Sequence, residues 1–74
     1  MKALNSKYMT SAYEESLDLY YINNKKSGAN LGAVEYFGPW KQFVFFAESD
    51  LCIFSADCLQ DIINFITDLN KEAR

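Results

Sequence analysis

Histidine is absent from the 74 residues, and cysteine, proline and glycine are scarce, at two, one and three. Each shortage excludes something. Without histidine the chain lacks the commonest general base and the commonest metal ligand. Two thiols, Cys52 and Cys58, are too few for the disulfide framework of a small secreted module. They are also too few for a structural zinc site, which takes four ligands. They read as reduced cysteines packed as small hydrophobes, which points to the cytoplasm. Seven basic side chains stand against ten acidic ones, a formal charge of −3, so there is no cationic footprint for gripping phosphates. Long apolar runs are missing too. Met1 to Thr10 has no continuous apolar core of the kind a signal peptide needs. Phe43-Val44-Phe45-Phe46-Ala47 falls far short of the roughly 20 residues of a membrane helix. A soluble cytoplasmic protein with no membrane partner is the expectation.

The same deficits argue against catalysis. A nucleophile needs a base within hydrogen-bond reach, and Cys52 or Cys58 would have only carboxylates or lysines to turn to. Ser27-Gly28 and Leu31-Gly32 lack the spacing and the lysine of a phosphate loop. Paired carboxylates for glycosidic chemistry need a cleft between them, and a chain of this length forms one small domain with little surplus to build one. The expectation is a protein that is not an enzyme, with no catalytic, cofactor-binding or metal-binding residues.

What the chain does have is apolar and aromatic surface arranged in short runs. Met1 to Ser16 is of mixed polarity and reads as an N-terminal arm, followed by a single domain over residues 17–74. Leu17 to Ile22 reads as a first strand, Asn23 to Asn30 as a turn, and Leu31 to Phe37 as a second strand antiparallel to the first. Gly38-Pro39-Trp40 breaks the pattern, because proline has no amide to give a central strand. Lys41 to Ala47 forms a third strand, Glu48-Ser49-Asp50 a turn, and Leu51 to Phe54 a short fourth extended piece. Ser55 is a good N-cap, and Asp57 and Lys71 with Arg74 complement the helix dipole at its two ends. Between them Cys58, Leu59, Ile62, Ile63, Phe65, Ile66 and Leu69 fall on an arc of about 160°. The pattern predicts an α+β fold, a three- to four-stranded antiparallel sheet packed on one C-terminal amphipathic helix, in the order β-β-β-(β)-α.

The strands carry more apolar surface than one helix can cover. Val44 and Phe46 oppose Phe43 and Phe45, Val34 and Tyr36 oppose Ala33 and Phe37, and Tyr20 opposes Tyr21. Either the arm folds across the second face through Tyr8, Met9 and Tyr13, or that face forms a homodimer, or it docks another protein. A one-residue slip in register would also redistribute these side chains. Candidate docking residues are Trp40, Tyr20, Phe37, Phe43 and Phe45, since aromatics dominate interface energetics. Aromatics on an open sheet also suit single-stranded nucleic acid. However, only Lys25, Lys26 and Lys41 could supply the basic groove, against Glu35 and Glu48. A second candidate surface is the helix stripe Asp57, Asp61, Asn64 and Asp68, spaced i, i+4, i+7, i+11. It would suit a basic protein partner, although most such stripes are simply a solvated face.

Several segments together resemble a group of small phage and prophage proteins: Lys26-Ser27-Gly28, Leu31-Gly32, Val34-Glu35-Tyr36, Pro39-Trp40-Lys41-Gln42-Phe43-Val44-Phe45-Phe46, and Phe54-Ser55-Ala56-Asp57-Cys58-Leu59-Gln60-Asp61-Ile62 with Phe65-Ile66 and Leu69-Asn70. In that group a tryptophan, a basic residue and glutamine precede an aromatic strand, and a Ser-Ala-Asp-Cys-Leu helix start follows. The chain departs from the pattern at Ala47 to Leu51, where a proline-bearing turn is expected. The resemblance implies a context, not a mechanism. Small acidic phage proteins often block a host or defence protein, as anti-CRISPR proteins do. A protein-binding module is therefore the leading expectation, with a homo-oligomeric accessory protein as its alternative and a single-strand nucleic-acid binder as a third.

Overall fold

The computed structural model describes residues 3–50 and 52–72. Four strands form one antiparallel sheet in the order β1-β2-β3-β4, followed by a single helix: β1 (Met9–Glu14), β2 (Leu19–Asn24), β3 (Asn30–Phe37), β4 (Gln42–Ala47) and α1 (Ala56–Glu72). The fold is the α+β arrangement expected, with the fourth strand in a different place. Met9 to Glu14 joins the sheet beside β2, whereas Cys52 to Phe54 forms no strand. Leu51 lies outside the described residues.

Residues 9–14 read as an arm because their alternation is weak. The inward positions are Met9, Ser11 and Tyr13, and only Met9 is strongly apolar. Tertiary contact decides the matter: Met9 is fully buried, and Leu4 joins the same core. The chain before β1 doubles back along it. Ser11 donates its amide to the Leu4 carbonyl at 2.9 Å, the Leu4 amide donates to Ser11 Oγ at 2.8 Å, and Asn5 bridges to Thr10. The N-terminal segment thus extends the sheet at its edge and does not fold across its second face.

The turns follow side-chain chemistry. Between β1 and β2, Leu17 is exposed in the turn and Asp18 takes the left-handed conformation at φ 53°, so the strand begins at Leu19 and not at Leu17. Between β2 and β3, Asn24 Oδ1 accepts from the amides of Lys26 and Ser27. Gly28 supplies the positive φ of 78° that lets the chain return. Ile22 pairs with Gly32 while Asn23 pairs with Asn30, leaving Leu31 as an extra residue that turns toward the core. Asn30 Nδ2 fills the irregularity, donating to the Gly32 carbonyl and to Asn23 Oδ1, each at 3.1 Å.

The helix begins as its cap residue dictates: Ser55 Oγ accepts from the Cys58 amide at 3.2 Å. It buries Ile62, Phe65 and Leu69 against Ile22, Val34, Met9 and Leu4. The buried arc is narrower than the sequence suggests. Leu59 and Ile63 remain 47% and 54% exposed, because a helix lying on a twisted sheet touches it along one line rather than across a broad face. At its C-terminal end, Asn70 Oδ1 accepts from the Phe43 amide at 2.8 Å and ties the helix to β4.

Candidate docking surface

Cross-strand register divides the sheet's side chains into two sets. Residues paired directly share a face. The rows Tyr13-Tyr20-Val34-Phe45, Ser11-Ile22-Gly32-Ala47 and Tyr36-Phe43 face the helix. The rows Glu14-Leu19-Glu35-Val44, Ala12-Tyr21-Ala33-Phe46 and Phe37-Gln42 face away from it. No described helix or strand packs across this second face, although Leu19 within it is buried between its row neighbours.

Its aromatic end is built by the β3–β4 connection. Gly38–Trp40 forms one 3₁₀ turn with Pro39 in its first positions. Lys41 closes the turn in the left-handed conformation, its amide donating to the Gly38 carbonyl at 3.1 Å. That tight turn swings Trp40 back beside Phe37, with ring centroids 5.0 Å apart and nearly perpendicular. Phe46 reaches toward the same ring from β4, 6.2 Å from Phe37. Phe37, Trp40, Val44, Phe45 and Phe46 line a shallow hollow of about 180 Å³. Trp40 is 66% exposed and Phe46 45%, so large apolar side chains here are offered to solvent rather than packed. Beside this ledge Glu14 and Glu35 flank Leu19, giving the face a negative margin.

Of the five aromatic candidates, Trp40, Phe37 and Phe45 border the hollow. Trp40 and Phe37 form the ledge. Tyr20 and Phe43 lie on the helix side, and Phe45, although it borders the hollow, directs its ring there too: Tyr20 packs edge-on against Phe65 at 5.3 Å, Phe45 against Phe54 at 5.6 Å, and Phe43 beneath the Asn70 end of the helix. Their places on the ledge are taken by Val44 and Phe46. The signal for this was present in the sequence. A four-residue turn from Gly38 to Lys41 pairs Phe37 with Gln42, and counting outward puts residues 37, 44 and 46 on one face. Asp57 and Asp68 are exposed on the helix layer and Asp61 is half-buried, so the acidic stripe and the ledge belong to different layers of the molecule.

The titratable groups perturbed by the fold lie on the helix side as well. Tyr13 donates its hydroxyl to Asp18 Oδ1 at 2.6 Å, and that bond to a carboxylate pushes its phenol up to about 12. Burial raises the Tyr20 phenol, with Asp18 and Glu72 adding to the effect. Three lysines gather at the other end of the sheet. Lys7, Lys25 and Lys26 border a groove with Tyr8 and Asn24, and the Lys7 ammonium sits 5.3 Å from the Tyr8 ring centre. The length of β3 separates them from Trp40 by about 20 Å. Cys52 and Cys58 are unpaired and half-buried; the Cys52 thiol points to the Leu31 carbonyl at 3.6 Å. Among the described residues no group of histidine, cysteine or carboxylate side chains could hold a metal ion, and no helix is long and apolar enough to cross a membrane.

Compared with known protein families, curated proteins and solved structures, the chain matches none.

Proposed function

We propose that this chain is a non-enzymatic protein-binding module that docks through the open face of its sheet, with Trp40 as the anchor. The observation that carries the reading is the ledge on which exposed Trp40 and Phe46 join half-buried Phe37 and Val44 around one hollow. Contiguous exposed apolar surface is costly to keep in water and generally marks a contact site. The reading fits a protein partner whose surface has an apolar pocket for an indole, rimmed by basic side chains that would meet Glu14 and Glu35. Occlusion of such a surface is also how a phage-encoded inhibitor of a host or defence protein would act, the context that the sequence resemblance implies.

The test is capture from a nuclease-treated bacterial lysate, comparing the native chain with Trp40→Ala and with Asp57→Asn. A protein retained in stoichiometric amount by the native chain and by Asp57→Asn is expected to bind Trp40→Ala about tenfold less tightly or worse. Trp40 is largely exposed, so the variant is expected to keep its fold. Equal capture by Trp40→Ala overturns the sheet-face reading.

A further inference from the structure

The two edges of the sheet are treated differently. On β1, the outward-facing backbone of Met9 and Ser11 is bonded to the doubled-back segment, through Ser6 and Leu4. On β4 the helix takes only one group, the Phe43 amide. Hydrogen bonding alternates along an antiparallel pair, and the Glu48 amide donates to the Leu31 carbonyl. Phe45 and Ala47 therefore turn both their N–H and C=O away from β3. Neither group meets a hydrogen-bond partner among the described residues.

Exposed edges are ordinarily blunted by charge, proline or a bulge. Gln42-Phe43-Val44-Phe45-Phe46-Ala47 has none of these, and its pairing with β3 runs without a register shift. Above this edge the helix presents an unused apolar flank. Leu59 and Ile63 lie within about 40° of Asn70 around the helix axis, on the side that Asn70 ties to β4, and both are exposed.

We infer that two copies of this chain pair antiparallel through their β4 edges, forming one continuous eight-stranded sheet about a two-fold axis at Phe46. In this register Phe45 faces Ala47 of the second copy, and the two residues exchange N–H···O=C bonds in both directions. The symmetry makes four bonds and leaves the Asn70–Phe43 bond intact. On the helix side a large residue sits opposite a small one, under the Leu59–Ile63 flank. On the open side Phe46 meets Phe46 of the second copy at a non-hydrogen-bonded position, where side chains approach most closely. Charge agrees with this occupant. β4 carries no charge of its own to repel a copy, and antiparallel pairing carries each Lys41 end toward the Glu48–Asp50 end of the other chain. The inference is independent of the docking reading, although the pairing would join the two aromatic ledges side by side.

Sedimentation equilibrium from low to high micromolar concentration tests it, together with amide hydrogen exchange of the native chain. The mass is expected to rise toward that of two chains, with the Phe45 and Ala47 amides gaining protection as concentration rises. Ala47→Pro removes the outward N–H without touching a bond to β3. By symmetry it deletes two of the four bonds, so association is expected to weaken about tenfold or more. Trp40→Ala is expected to leave the mass unchanged, which keeps failure of this inference distinct from failure of the docking surface. A single-chain mass across the range overturns the inference, as does association that leaves the Phe45 and Ala47 amides exchanging freely. Should Ala47→Pro fail to fold, the exchange data on the native chain decide.

Discussion

Tyr13 shows how a single side chain ties local chemistry to stability. Its hydroxyl reaches across the β1–β2 turn to Asp18, whose left-handed backbone closes that turn. A phenol donating to a carboxylate resists ionisation, hence a value pushed up to about 12. The ordinary value of about 10 applies to the unfolded chain, so the folded state holds this proton more tightly. The contribution is whole below about pH 10 and is lost as pH rises through about 12. Tyr13→Phe is expected to remove the last phenol to ionise in a spectrophotometric titration, and to make stability less sensitive to pH over that window. Coincident titration curves for the two proteins would contradict this. Gly28 was legible in the sequence as a turn glycine because its neighbours Asn24, Ser27 and Asn30 are all turn formers. Asp18 was not, since an aspartate inside an apparent strand gives no local sign that it will take a positive φ.

Gly32 belongs to the scale of elements, because its role exists only where three strands meet. A methyl group built on it would run into the Phe46 carbonyl oxygen and lie 2.6 Å from the Phe45 ring. The bulge at Leu31 and the close approach of β4 both depend on that vacancy. Gly32→Ala is expected to cost about 2–4 kcal/mol, read as a lower urea midpoint; in a domain this small that is much of the total stability. An unchanged midpoint would mean β4 can shift without penalty. The helix was the element most legible in the sequence, since Ser55, Asp57 and the spacing Ile62, Phe65, Leu69 all state it locally. Its contact width was not: periodicity puts Leu59 and Ile63 on the apolar arc, whereas both stay exposed. β1 was the hardest to read. Ser11 occupies an inward position where an apolar residue would announce a strand, and its hydroxyl is there to bond the Leu4 amide, a partner that only the folded chain supplies.

At the scale of the whole molecule, charge and aromatic surface are sorted to different places. The lysines Lys7, Lys25 and Lys26 gather at one end of the sheet, whereas the Trp40 ledge lies at the other with Glu14 and Glu35 beside it. Single-strand binding couples base stacking to a basic groove along the same path, and here Lys41 is the one lysine beside the ledge among the described residues while Lys7, Lys25 and Lys26 stand apart from it. A gel shift with single-stranded oligonucleotides at low salt, where such binding is strongest, is expected to show no retention by the native chain. Retention lost in Trp40→Ala would return the ledge to nucleic acid. The sequence by itself determined the class of fold, the helix with its cap, the turns at Gly28 and Pro39, and the surplus of aromatic surface on the strands. Those features depend on periodicity, capping and backbone preference, which act over a few neighbouring residues. Tertiary structure alone decided which face the helix takes, that Met9 to Glu14 is a strand, and which edge of the sheet stays open. Each of those depends on contacts between segments far apart in the chain, where burial of Met9 and Leu4 and the bond from Phe43 to Asn70 outweigh local preference.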